Sequence, residues 1–283
     1  MQPKVNKPKI NQEYMELPGN PSIPFSPFQI YEVIRIIDEI PLFLEEHIER
    51  LYNTAIKSGV FKLPDYDTIT KLILKTISYQ ERTTGNIKLI FTIIEPNRQP
   101  NCDLNFIPHF YPSRDNYASG VKAGLMEAER PNPQLKIVYA DVRNKADLLI
   151  LKEKVFEVLL VDHNGNITEG SRSNVFFVKN NQLFTSPDEK VLNGITRGKI
   201  LKLCAMHNIQ ITKKDIPVTG LEQFEGVFLT GSSPKVLPVS AIGGIHFNPS
   251  AALIRRIMLL YDKEIIKYLA LHKQVEKVSV NFK

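Results

Sequence analysis

Ile167-Thr-Glu-Gly-Ser-Arg-Ser-Asn-Val-Phe176 is the stretch on which the reading of this chain turns. Residues 167–169 read as a short strand returning from a strand over 155–162 across the turn His163-Asn-Gly-Asn166. A Gly-Ser-rich corner follows, and then a hairpin, with strands over 174–179 and 182–185 joined at Asn180-Asn181. An acidic residue at a strand end before such a corner can point inward, and an ionised carboxylate there keeps a neighbouring ring nitrogen protonated. Glu169 has that position. Its plainer alternative is a solvated turn carboxylate.

Downstream of this corner the pattern gives a helix over 196–207, strands over 210–216, 226–230 and 236–242, and a long amphipathic helix over 249–271. Upstream, the β-branched run at 31–37 predicts a strand, with 40–44 as its partner across Asp38-Glu39. Ile48, Leu51 and Ala55 have helical spacing within 45–58, and a second helix is expected over 66–80. Strands are expected over 86–94 and 104–111, and a helix over 140–154. Residues 1–25 are polar and carry several Pro and Lys, which predicts an arm. A small α/β domain over 26–118, an interdomain linker over 119–132 and a larger domain over 133–283 complete the expected plan. The fold class is α+β.

Four further stretches carry chemistry. Asn193-Gly-Ile-Thr-Arg197 opens a predicted helix, so the N–H groups of Ile195 and Thr196 are unpaired donors of its first turn. Thr230-Gly-Ser-Ser-Pro234 follows a strand and offers hydroxyl and N–H donors from Gly231 and Ser232. Arg50, in Glu45-Glu-His-Ile-Glu-Arg-Leu51, brings a planar guanidinium suited to a phosphate. The bland readings are a helix cap, a β-turn, and an Arg50–Glu46 pair at i, i+4. Lys136 lies in Asn132-Pro-Gln-Leu-Lys-Ile-Val-Tyr139, on a short extended segment beside the expected linker, where partial desolvation would free its amine. Lys145 and Lys152 compete for that role from the following helix, among polar neighbours. An amine, a carboxylate for a ring nitrogen and two anion-binding loops are the parts that pyridoxal 5′-phosphate needs.

Composition narrows the field. The 36 Lys and Arg against 30 Asp and Glu leave a net charge of +6, which favours a small anion and is too diffuse for nucleic acid. The apolar runs are too short to span a bilayer, and no metal ion is expected in the site. Cys102 and Cys204 are the only cysteines; with no secretory pattern at the start, a cytoplasmic location is expected, with Cys204 as a buried small hydrophobe.

These stretches resemble the fold-type IV pyridoxal-phosphate enzymes, the class IV aminotransferase family of branched-chain and D-amino-acid aminotransferases and aminodeoxychorismate lyases. The resemblance spans about 31–243 and is carried by 46–51, 168–176, Gly194-Ile-Thr-Arg197 and 230–239. It implies a small α/β N-terminal domain, a larger pseudo-barrel domain and a homodimer. It also implies Arg50, Ile195, Thr196 and Ser232 on the phosphate, Glu169 on the pyridine nitrogen, and a Schiff base at Lys136. Tyr31 and Arg35 fall at positions that often face substrate in that family. Lys136 lies twenty-one residues before Glu157, which matches the family's lysine spacing without a gap. A rival alignment through Asp141-Val-Arg143 would put an arginine at the catalytic position. The chain departs from the family at Tyr139, at 25–30 and at Thr92-Ile-Ile94, where a carboxylate-binding Arg is missing. The expected activity is transamination of a small, branched-chain-like amino acid and keto acid. A lyase that releases pyruvate, and a catalytically silent binder of an anionic ligand, are the alternatives.

Overall fold

Two sheets organise the protein, whose computed structural model describes residues 26–95 and 98–280, with side chains described as far as 273. The expected arm over 1–25 lies outside the described residues. The first sheet is antiparallel, in the order β2-β1-β3-β4, from β1 (Phe28–Ile37), β2 (Ile40–Pro41), β3 (Thr84–Ile93) and β4 (Asn101–Ile107). Helices α1 (Leu44–Lys57) and α2 (Tyr66–Tyr79) cover it. Strand alternation puts Ile30, Ile34 and Ile36 of β1 into one core with Ile48, Leu51 and Ala55 of α1. Asp65 caps α2 by accepting from the Thr68 N–H at 2.7 Å. The partner strand expected over 40–44 ends at Pro41, which has no N–H to extend a ladder; Phe43 turns left-handed (φ 55°) and α1 begins.

The second sheet has nine strands. Its elements, in chain order after α3 (Arg114–Ser119), are β5 (Val121–Glu127), α4 (Ala140–Glu153), β6 (Glu157–Val161), β7 (Ile167–Gly170), β8 (Asn174–Lys179) and β9 (Gln182–Thr185). They continue with α5 (Ile195–Met206), β10 (Ile211–Lys213), β11 (Gly226–Gly231), β12 (Lys235–Ile242), β13 (Ile245–His246) and α6 (Ala252–Val280). The order is β10-β9-β8-β11-β12-β5-β6-β7, with β13 on β12. The stretch expected as a linker over 119–132 therefore carries a strand. Val121 and Ala123 are buried in the sheet, and β5 runs parallel to both β6 and β12.

Both faces of this sheet are covered, so its strands are apolar on both sides. On β8, Val175 and Phe177 enter one core while Phe176 and Val178 enter the other, which is packed under α5 and α6. Phe176 stacks on its cross-strand partner Phe228 at 5.1 Å. Each buried aromatic of this kind contributes about 1.5–3 kcal/mol by removal from water. Cys204 is buried in the α5–α6 core, and both cysteines are free. Among the described residues no helix is long and apolar enough to cross a membrane.

Candidate active site

A cavity of about 700 Å³ opens between the two sheets, lined by Tyr31, Arg50, Lys136, Glu169, Thr196 and Gly231, among others. The extended segment around Lys136 reaches it by pairing with β1: the Tyr31 N–H donates to the Lys136 carbonyl and the Val138 N–H to that of Gln29, both at 3.0 Å. The Lys136 backbone N–H also meets Thr54 Oγ1 of α1 at 3.3 Å. Its Nζ lies 4.8 Å from the centre of the Tyr31 ring. Burial, reinforced by Arg50 and Arg130, lowers the Lys136 pKa against the opposing pull of Tyr31 and Glu32. Burial raises the Tyr31 hydroxyl, but Lys136, Arg143 and Arg130 bring it down to about 8. Lys145 and Lys152 are exposed and do not line the cavity.

Glu169, at the inner end of β7, is 2 % exposed. Arg130 holds its Oε1 at 2.9 Å, while Oε2 accepts from the Leu192 N–H at 3.1 Å and Asn174 Nδ2 at 3.2 Å. Burial outweighs these donors and raises its pKa. Arg130 was not singled out from the sequence, because it lies in the Pro-rich stretch read as a linker. The corner after Glu169 is fixed from below by a second buried carboxylate. Glu157 accepts from Ser171 Oγ at 2.6 Å, Ser173 Oγ at 2.9 Å and the N–H groups of Arg172 and Val158. A Cβ added to Gly170 would overlap Ser173 Oγ and lie 3.1 Å from Glu157. Gly170→Ala is therefore expected to displace Ser173 and lower stability by roughly 1–3 kcal/mol, read as a lower midpoint of urea unfolding.

The anion-binding groups line the same cavity as Glu169. Gly194 precedes α5 without a side-chain cap, which leaves the first-turn N–H groups of Ile195 and Thr196 to the cavity. Thr196 Oγ1 is 3.0 Å from the Tyr261 hydroxyl, which ties this helix start to α6. Thr230 Oγ1 is buried without a hydrogen-bond partner beside Gly231 and Ser232 on the cavity wall. Arg50 does not pair with Glu46, which reaches Lys199 instead. Its Nε and Nη2 fork onto the buried carboxylate of Glu32 at 2.7 and 2.6 Å, and Nη1 donates to the Asn193 carbonyl. Of five guanidinium N–H groups, two are left for a ligand. His47 Nδ1 closes the network at 2.7 Å from Glu32, whose carboxyl is raised by burial but pulled down to about 2 by Arg50 and His47.

Arg35 requires a correction. It does not line the cavity; its Nη1 donates to the Ser233 carbonyl at 2.8 Å and its guanidinium stacks 4.1 Å above Tyr111. Arg35 lies two residues beyond Val33 on β1, where it meets the 231–234 loop at the Ser233 carbonyl.

A two-sheet α+β fold with its groups arranged in this way defines a known class. A Legionella pneumophila protein assigned as a 4-amino-4-deoxychorismate lyase has a similar structure, with a TM-score of 0.76 at 22% identity over 83% of this chain and 90% of its own. The pyridoxal-phosphate-bound form of a hypothetical aminotransferase from Mycobacterium tuberculosis gives 0.72 at 18% identity, over 84% and 89%. In sequence, the D-alanine aminotransferase of Bacillus licheniformis is 29% identical over 228 residues, which are 76% of this chain and 79% of that protein. The family pattern of amino-transferase class IV matches residues 29–242. This chain belongs to the class IV aminotransferase family, whose members are pyridoxal-phosphate-dependent aminotransferases or lyases.

Proposed function

We propose that the chain binds pyridoxal 5′-phosphate through Lys136 and moves an amino group between a small, branched-chain-like amino acid and a keto acid. The observation that carries this reading is the convergence of Lys136, Glu169 and three sets of anion donors on one cavity. The residues fit the cofactor. The unpartnered Thr230 hydroxyl, the uncapped start of α5 and the two spare N–H groups of Arg50 line one cavity and are the kind of donors a phosphate needs. The cofactor, when bound, supplies the electron sink that the side chains lack.

Each residue then has a task. Lys136 offers an amine whose pKa burial lowers, and its Nζ shuttles the substrate proton as base and then acid. Glu169 holds the proton of the ring nitrogen, and Arg130 together with the Leu192 N–H keeps its carboxylate in place. Arg50, the N–H groups of Ile195 and Thr196, and the loop at Gly231 and Ser232 hold the phosphate. Tyr31 flanks the Lys136 amine on the substrate side.

A lyase releasing pyruvate is the second reading, because the same amine, carboxylate and phosphate donors of the cavity would serve it. Mixing the protein with the cofactor tests the shared premise. An absorbance band near the visible edge is expected, and a protein that stays colourless defeats both readings. Pyruvate formed from aminodeoxychorismate without an added keto acid would assign the lyase.

A further inference from the structure

Lys88 and Arg143 are cations of the cavity wall with no carboxylate partner among the described residues. Lys88 is on β3, opposite Val33 of β1, and Arg143 lies in the first turn of α4. Both are half-buried and both line the cavity. Their neighbours of like charge are already committed: Arg50 to Glu32, Arg130 to Glu169 and Arg172 to Asp147. The cavity's other carboxylate, Glu157, is saturated by the hydroxyls of Ser171 and Ser173 and by two N–H groups. Lys88 Nζ lies 5.3 Å from the centre of the Tyr31 ring, and Lys136 Nζ lies 4.8 Å from the same centre. A half-buried cation without a counter-charge carries a desolvation cost that an anionic ligand removes.

We propose that Lys88 and Arg143 form the clamp for the substrate carboxylate, replacing the arginine that Thr92-Ile-Ile94 lacks. This rests on the reading of the cavity as an amino-acid site. A carboxylate held beside Tyr31 presents the adjoining carbon, which bears the amino group, to the Lys136 amine. Arg50, the start of α5 and the 230–232 loop are separate groups left for the phosphate, so the two anions do not compete for one set of donors. The influence of Arg143 on the Tyr31 hydroxyl is consistent with its charge being felt on this side of the cavity.

Calorimetric titration of the cofactor-loaded protein with isocaproate, a carboxylate with neither amine nor ketone, tests the clamp. Wild type should bind isocaproate at least tenfold more tightly than isocaproamide, its uncharged counterpart. Lys88→Met and Arg143→Met should each weaken isocaproate by about tenfold or more while leaving the amide unchanged, because each removes a charged hydrogen bond. Both variants should keep the visible-edge band, since neither residue holds the cofactor. Equal affinity of wild type for acid and amide overturns the clamp, as does unchanged isocaproate affinity in both variants. Should a methionine variant not fold, the wild-type ratio of acid to amide still decides. A wild-type protein without the band overturns the cofactor reading, and its acid-to-amide ratio then judges the clamp separately.

Discussion

Lys136→Ala is expected to stay colourless when mixed with pyridoxal 5′-phosphate, whereas Lys145→Ala keeps the band near the visible edge. The two lysines differ in surroundings. Lys136 Nζ faces the cavity beneath the Tyr31 ring, and Lys145 is exposed on α4. Removing the Lys136 amine removes both the attachment point and the group that shuttles the proton, so turnover should fall by about 10³-fold or more. A second signal is independent of turnover. Burial raises the Tyr31 hydroxyl and Lys136 is the strongest of the charges that bring it to about 8, so its ultraviolet titration should move to higher pH in Lys136→Ala. Arg143→Met should retain the band, because Arg143 is assigned to the carboxylate side. If Lys145→Ala lost the band while Lys136→Ala kept it, the assignment of the lysine would be wrong.

The sequence carried the local part of this architecture and missed what depends on distant pairing. The hairpin at Asn174–Lys179 and Gln182–Thr185 is found where alternation and Asn180-Asn181 place it, because its signals lie within a dozen residues. β5 was hidden for the opposite reason. Val121–Glu127 is flanked by Pro, Gly and charge, and its partners β6 and β12 are far along the chain. The short α3 carried a usable signal in Ser113, whose side chain caps Asn116 reciprocally. In the site, the i, i+4 rule suggested Glu46 for Arg50, and the structure supplies Glu32 from β1. One clue was present. Glu32 shares its strand face with Ile30, Ile34 and Ile36, and a carboxylate in register with three buried isoleucines needs a cation opposite. Arg130 had no such clue, since only the fold brings it to Glu169.

Glu32→Ala tests that clue and is expected to be the most destabilising change at the site. Glu32 is 1 % exposed and satisfies Arg50 and His47 together. Its removal leaves the partly buried Arg50 fork with a single carbonyl acceptor, and breaking such a pair from one side costs up to about 3–5 kcal/mol. Acid titration gives a second estimate. The carboxyl titrates at about 2 in the folded protein against an ordinary 4.5, and a depression of that size is worth on the order of 3 kcal/mol. The sign follows from proton binding: between those values the unfolded chain binds the proton and the folded chain does not. The contribution is therefore complete above pH 4.5 and is lost as pH falls through about 2. Wild type should lose stability across that window, and Glu32→Ala should lose distinctly less because the linked group is gone. Glu32→Gln, which keeps an acceptor for Arg50 but no charge, should fall between them in urea midpoint. Both variants should also bind inorganic phosphate more weakly, because the two spare N–H groups of Arg50 are aimed only while its other side is held. An unchanged midpoint together with an unchanged acid limb would mean that Arg50 is held by its packing and the Asn193 carbonyl, and that Glu32 does not anchor the phosphate end.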